Sequence, residues 1–307
     1  MKSNQSFLAL LALMVACGVT VLMGNLDTDV SLDSTRELWS DVLRDVDDFG
    51  LRATRVSTYK EMQLGEQMAA QLATGNAEDS EAAKYVTAVG SQLLANVNRK
   101  TMRYRFHVIE SPEMNAFALP GGQIYVLRGL LDSLQSEAEL AAVLGHEISH
   151  VDLRHCIEQF QYQLALKKVG MGHVGSIAGF AHDLVAIGYK QDQELEADVA
   201  GERLTIEAGY DPDAAAAVFK RMQRKFAESK AAPAATPAGE VGQAVGEVIG
   251  SYFRTHPPSE ARARQLSAMT AKNRSALAGR IFYRGVRNYR VRIARNAQEF
   301  AEEQHVY

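Results

Sequence analysis

The chain has 307 residues, 47% of them hydrophobic and 23% charged, a globular balance that excludes an intrinsically disordered chain and suffices for one or two cored domains. The formal net charge of -4 hides an asymmetry, because residues 254–295 carry ten Arg and one Lys against the single acid Glu260, a local balance of 11 - 1 = +10. Such a basic tail suits anionic headgroups, an acidic partner or a solvated face of surface helices, and without aromatics interleaved among the bases it does not describe a nucleic-acid surface.

The first 26 residues form a segment of their own. Lys2 precedes residues 7–24, a run of 18 without a charge, and Asp27, Asp29 and Asp33 follow it. That run is just long enough to span a bilayer, and the positive-inside rule places everything after it on the far side. Within it, Met14-Val15-Ala16-Cys17 resembles a lipobox, although Gly18 to Gly24 continues apolar where polar residues usually follow. Signal anchor, lipoprotein and cleaved signal peptide remain three readings; all three deliver the soluble part outside the cytoplasm, and the first two make an extracytoplasmic, membrane-attached protein, with a bacterial periplasm the expected compartment. The two cysteines, Cys17 and Cys156, are too few for a disulfide framework.

Residues 31–98 repeat apolar positions at three and four (Leu38, Trp39, Val42, Leu43, Val46; then Tyr85, Val86, Val89, Leu93, Leu94), which predicts two or three helices. Strands are expected over 103–110 and 123–127, with a short one at 115–119 closed by the Pro120-Gly121-Gly122 turn. Long helices are predicted over 136–164 and 184–209, separated by the glycine-rich 170–179, and another over 212–228. Residues 230–250, dense in Ala, Pro and Gly, read as a loop. Within the C-terminal part, 251–307, the chain from Arg262 on reads as mostly helical, with a strand near 283–293 and a basic helical tail. The expected fold is therefore α+β, mainly α-helical, with a core over 31–229, the loop, and a C-terminal part that completes the same domain.

Chemistry concentrates at His146-Glu147-Ile-Ser-His150. Histidines at i and i+4 share one helix face, where both imidazoles reach one metal, and Glu147 lies beside them as a general base for a water on that metal. Alone the motif arises by chance, but the apolar residues around it suit a buried helix. The metzincin pattern would need Gly at 153 and His at 156, where Leu153 and Cys156 stand. A Glu from a later helix is the other solution. Glu194 and Asp198, one turn apart, fit a third ligand and a partner that orients a ligating histidine, while Glu196 faces away as a solvated acid. His155 turns off the metal face and reads as a packing or hydrogen-bonding residue, and Cys156 as a small buried hydrophobe.

Asn115-Ala116-Phe117-Ala118 with Pro120-Gly-Gly122, His146-Glu-x-x-His150, Glu194-x-x-x-Asp198 and His256-Pro, in that order over about residues 61–266, resemble the membrane-associated gluzincins. That family includes the CAAX prenyl protease, HtpX, and the OMA-, BepA- and LoiP-type peptidases, the last three being the nearer branch. The resemblance implies one Zn2+ per subunit held by His146, His150 and Glu194, with Glu147 as base and Asp198 behind the ligands. It implies that Asn115, Ala116, Phe117 and Ala118 form a substrate-binding edge strand on a small sheet, an arrangement that binds main chain regardless of sequence. For His256 and Arg262 two roles stand open: a plug of the open zinc position, and stabilisation of an oxyanion. Unfolded or misfolded envelope proteins are the implied substrates, and the alternative is a tethered, chaperone-like binder with latent activity. Oligomeric state and cleavage specificity are not legible.

Overall fold

The computed structural model describes residues 55–72, 80–168, 188–231, 252–253, 255–257 and 260–307. The chain divides into Met1–Thr54 and Arg55–Tyr307, and every described residue belongs to the second unit. The apolar run 7–24, the helix expected around Trp39, the glycine-rich 170–179 and residues 232–250 of the expected loop lie outside the described residues. None of the described helices is long and apolar enough to cross a membrane.

Two helices open the unit, α1 (Thr58–Leu72) and α2 (Glu81–Leu93). Ser80 starts α2 as an N-cap, its hydroxyl accepting from the Ala83 N–H at 3.1 Å. Strands β1 (Arg105–Ile109), β2 (Ala116–Leu119) and β3 (Gln123–Leu127) follow in the sheet order β1-β3-β2. β1 runs parallel to β3, from Arg105 opposite Gln123 to Ile109 opposite Leu127, and β2 antiparallel, from Ala116 opposite Val126 to Leu119 opposite Gln123. The central β3 is buried throughout, as its apolar run over 124–127 requires, and β2 is left on an edge. Between β2 and β3, Gly121 sits at φ 81 and Gly122 at φ 82, a left-handed pair that a side chain would strain.

A short helix α3 (Arg128–Ser133) leads into α4 (Glu137–Asp152), every residue of which is buried. The Ser136 hydroxyl accepts from the Glu139 N–H at 3.2 Å, and the Glu139 carboxylate accepts from the Gln135 N–H at 2.7 Å. The single helix expected over 136–164 is in fact two: α4 stops at Asp152, Arg154 adopts φ 72, and α5 (His155–Lys168) sets off afresh. Tertiary contacts hold the break. The Asp152 carboxylate accepts from the backbone N–H of Asn98 at 2.9 Å and of Arg99 at 2.7 Å, while Arg99 Nη1 donates to the Val151 carbonyl at 2.8 Å. No glycine or proline marks that turn, so periodicity runs straight through it.

Next come α6 (Gln191–Glu207) and α7 (Ala214–Ala231), the latter outlasting the expected end at 228. α4 and α6 cross at two glycines: a Cβ on Gly201 would lie 2.7 Å from the His146 nitrogen, and one on Gly145 would lie 2.8 Å from the Gly201 carbonyl oxygen. That approach sets the distance between the two motif-bearing helices.

After α8 (Glu260–Ala276), β4 (Ile281–Tyr283) pairs antiparallel with β5 (Gln304–Val306), around α9 (Val286–Val291). The strand expected near 283–293 thus ends where it was to begin, because Gly285 at φ 70 turns the chain into a helix. The same turn caps α4. The carbonyls of Gly285 and Arg284 accept the Glu137 and Ala138 N–H groups at 3.1 and 3.0 Å, satisfying the start of that helix. The Glu137 carboxylate, fully buried, accepts from the Tyr85 hydroxyl at 2.9 Å, the Tyr210 hydroxyl at 2.6 Å and the Arg295 N–H at 2.9 Å. The basic excess of the tail is shared out too, Arg284 to Asp211 at 2.8 Å, Arg287 to Glu302 at 3.3 Å and Arg295 to Glu299 at 3.2 Å.

Candidate metal centre

The i, i+4 spacing on α4 brings His146 and His150 together, with their Nε2 atoms 3.1 Å apart. Glu194, on the first turn of α6, reaches both: its Oε2 is 3.5 Å from His146 Nε2 and its Oε1 3.4 Å from His150 Nε2. A fourth group arrives from the chain before α8. His256 Nδ1 lies 3.0 Å from Glu194 Oε1 and 3.2 Å from His146 Nε2. One donor atom from each of the four falls within 4.8 Å of all the others, and all four residues are buried.

This donor set fits zinc. Nitrogen and oxygen ligands about 2.0–2.1 Å from a tetrahedral ion stand about 3.3 Å from one another, and the distances here run from 3.0 to 3.5 Å. Two imidazoles and a carboxylate converging on one buried point suit a divalent cation. Burial, helped by the charge of His146, pushes the His150 imidazole down to about 3, so it is neutral, the form that binds metal.

Behind the donors lies a ring of orienting contacts. The Asp198 carboxylate stands 3.0 Å from His146 Nδ1, fixing that ring with Nε2 toward the centre. Burial would raise the Asp198 carboxyl, but the hydrogen bonds from His146 and Arg262 hold it below the usual range. His150 Nδ1 lies 3.0 Å from His155 Nδ1, and His155 Nε2 3.1 Å from Glu196 Oε2. His155 is thus the hydrogen-bonding residue its spacing suggested. Glu196 is exposed as expected, yet it anchors that relay rather than standing alone.

Arg262 is buried and spans the set. Its Nη1 is 2.6 Å from Glu194 Oε2, and its Nε and Nη2 donate to Asp198 at 2.8 and 2.7 Å. All three guanidinium nitrogens are engaged in holding carboxylates, which is the geometry of a positioning group.

Glu147 is fully buried, with Oε1 3.2 Å from His256 Nε2. Burial would lift its carboxyl, but the charge of His256 and its hydrogen bond hold it down. The His256 ring lies between Glu147 and Glu194, and those two carboxylates overcome its burial and raise it to about 10. An imidazolium there fills the space beside the Glu147 carboxylate.

The edge strand adjoins the centre. The Asn115 carbonyl accepts from Leu127 on β3, so by strand alternation the polar groups of Ala116 and Ala118 face outward. Both outward carbonyls are occupied: His256 Nε2 is 3.3 Å from the Ala116 oxygen, and the Tyr189 hydroxyl donates to the Ala118 oxygen at 3.3 Å. Phe117 turns inward and stacks on Tyr125, with ring centroids 4.9 Å apart. Sequence reasoning missed Tyr189. Its ring stacks on His150 at 3.6 Å between centroids; the helix expected from 184 in fact begins only at Gln191, which leaves Tyr189 on the three non-helical residues before it, and no motif marks it.

A pair of histidines and a carboxylate from two crossing helices, backed by an aspartate and flanked by a buried glutamate, define a metallopeptidase-like centre. Residues 80–270 match Peptidase family M48, and the chain belongs to that family. Its metalloproteases are zinc-dependent, in keeping with the donor set. Among its relatives, a mitochondrial metalloendopeptidase OMA1 of Schizosaccharomyces pombe is 30% identical over 189 residues, 59% of this chain and 51% of the relative. The beta-barrel assembly-enhancing protease of Escherichia coli K12 is 26% identical over 224 residues, 66% of this chain and 45% of that protein. Metalloprotease LoiP of Escherichia coli K12 is 31% identical over 228 residues, 69% of this chain and 85% of that protein. The chain spans about half the length, or less, of the first two.

Proposed function

We propose that the protein is a zinc metalloendopeptidase of the cell envelope in which His146, His150 and Glu194 hold the metal. The observation that carries this reading is the convergence of those three donors, from two helices, beside the buried carboxylate of Glu147. Zinc bound there would polarise a peptide carbonyl and acidify a water. Glu147 takes the proton from the attacking water and hands it to the leaving amine. Asp198 holds His146 in the ligating tautomer, the His155–Glu196 relay does the same for His150, and Arg262 keeps Glu194 and Asp198 in register. β2 supplies Ala116 and Ala118 as main-chain partners for an extended peptide, which favours unfolded or misfolded substrates over a defined side-chain sequence.

His256 acts as a plug. Its ring lies within hydrogen-bond distance of ligand, base and edge strand together, which supports a latent resting state. The uncharged run at 7–24 supports attachment at a bacterial envelope membrane. The test is Glu147→Gln on the zinc-loaded protein: hydrolysis of casein should fall by about 10²–10⁴-fold while zinc stoichiometry stays that of the wild type. Retained cleavage removes Glu147 from the mechanism; no cleavage by either protein, with zinc bound and His256 replaced, leaves a tethered binder instead.

A further inference from the structure

Two side chains, distant in sequence, close the two outward carbonyls of β2. One is the His256 plug. The other is Tyr189, which lies 67 positions earlier (256 - 189) on the three residues leading into α6 and donates to the Ala118 oxygen at 3.3 Å. A peptide added to this edge would place its own N–H groups on those same oxygens, Ala116 and Ala118, two residues or about 7 Å apart. The imidazole and the phenol therefore stand where successive donors of an incoming strand would stand.

These two guards are joined to each other. The Tyr189 N–H donates to the Thr255 carbonyl at 3.2 Å, and the Thr255 hydroxyl, which is 2.9 Å from the Tyr252 carbonyl, also lies 3.2 Å from Asn115 Oδ1 at the head of the edge strand. Tyr189 also lies flat against His150, 3.6 Å between centroids at an interplanar angle of 10°, and its hydroxyl is 3.2 Å from Cys156 Sγ. One aromatic residue thus touches a metal-ligating ring, the plug-bearing segment and the substrate edge.

We propose that Tyr189 is the second half of a two-part latch, a positioning residue whose hydroxyl closes the Ala118 carbonyl so that a peptide strand seats on β2 only when Tyr189 and the Thr255–His256 segment withdraw together. This rests on the edge strand receiving the peptide, as in the function proposed above. The hydroxyl and the ring act separately, since the hydroxyl competes with substrate main chain while the ring braces His150. A peptide that displaces the latch uncovers the Ala116 and Ala118 carbonyls and Glu147 in one movement, which couples strand docking to exposure of the base.

The test is a binding measurement, so it stands apart from catalysis. In the full chain carrying Glu147→Gln and loaded with zinc, the Kd for fluorescein-labelled β-casein, an unfolded protein, is measured by anisotropy with and without Tyr189→Phe. The phenylalanine keeps the ring on His150 and removes the competing donor, so Kd should tighten about fivefold, the effect of freeing one hydrogen-bond acceptor, with zinc stoichiometry unchanged. In the His256→Ala background the same substitution should gain less, because half of the latch is already gone. An unchanged or weaker Kd for Tyr189→Phe, equal gains in both backgrounds, or tightening that comes with loss of zinc each overturns the latch. Failure of the peptidase reading would appear elsewhere, as absence of casein hydrolysis by the protein that retains Glu147, whatever the Kd.

Discussion

His256 shows what one imidazole does when two carboxylates face it. Glu147 and Glu194 keep it charged despite complete burial, and that charge in turn holds both carboxylates ionised. If the closed arrangement holds about nine-tenths of the molecules, removing the plug should raise basal casein hydrolysis about tenfold. His256→Ala assayed against wild type checks this, and a fall in rate would instead make the histidine a participant in the chemistry. A second residue, Glu202, carries a cost. Burial, with the negative charges of Asp198 and Asp213 near it, raises its carboxyl to about 7 from an ordinary 4.5. Between those values the folded protein holds a proton the unfolded chain has released, so stability falls as pH rises through the window, and the full penalty stands above it. Glu202→Gln should therefore stabilise by on the order of 1–2 kcal/mol above pH 7.5 and by nothing near pH 4, read from urea unfolding at the two pH values.

At the scale of elements, the centre depends on how closely α4 and α6 approach. The HExxH spacing sets two rings on one face of α4, and the Glu194 to Asp198 spacing sets two carboxylates on one face of α6; both are local consequences of helix geometry. Bringing the faces together is not local. It requires the bare backbones of Gly145 and Gly201 at the crossing, where an added methyl at 201 would meet the His146 nitrogen at 2.7 Å. Gly201→Ala should cost about 1–3 kcal/mol of stability and weaken zinc by more than that substitution's distance from the metal would suggest, since separating the helices withdraws Glu194. Calorimetric zinc titration beside denaturant unfolding distinguishes this from a plain packing defect, which would lower stability and leave the zinc affinity alone.

For the whole molecule, folding and metal binding are coupled, because donors from α4, α6 and the segment before α8 converge only in the native state. A chelator should lower Tm, and readded zinc at about 1,000 times its Kd should restore about 4 kcal/mol; a Tm indifferent to chelation would mean that the buried charges balance without the metal. The other stitch is Glu137, which binds α2, the turn after α6 and the C-terminal segment to the start of α4 through two tyrosine hydroxyls and a backbone N–H. That contact ties the C-terminal segment to the start of α4, and its arginines pair with acids both inside the segment, Glu299 and Glu302, and outside it, Asp211.

The strands at 105–109, 116–119 and 123–127, the helices carrying both motifs and the pairing of His146 with His150 were legible because each follows from spacing within a few turns or a few alternating residues. Tertiary packing decided the rest. The break at Arg154 is imposed by Asp152 and Arg99 bonding across the fold, the helix at 286–291 by a turn that caps α4, and the duties of Arg262 and Tyr189 by neighbours 64 and 71 positions away in the chain. Periodicity reports which face of an element is apolar; which polar partner waits on the other side is set by the packing of separate elements, and no window along the chain contains it.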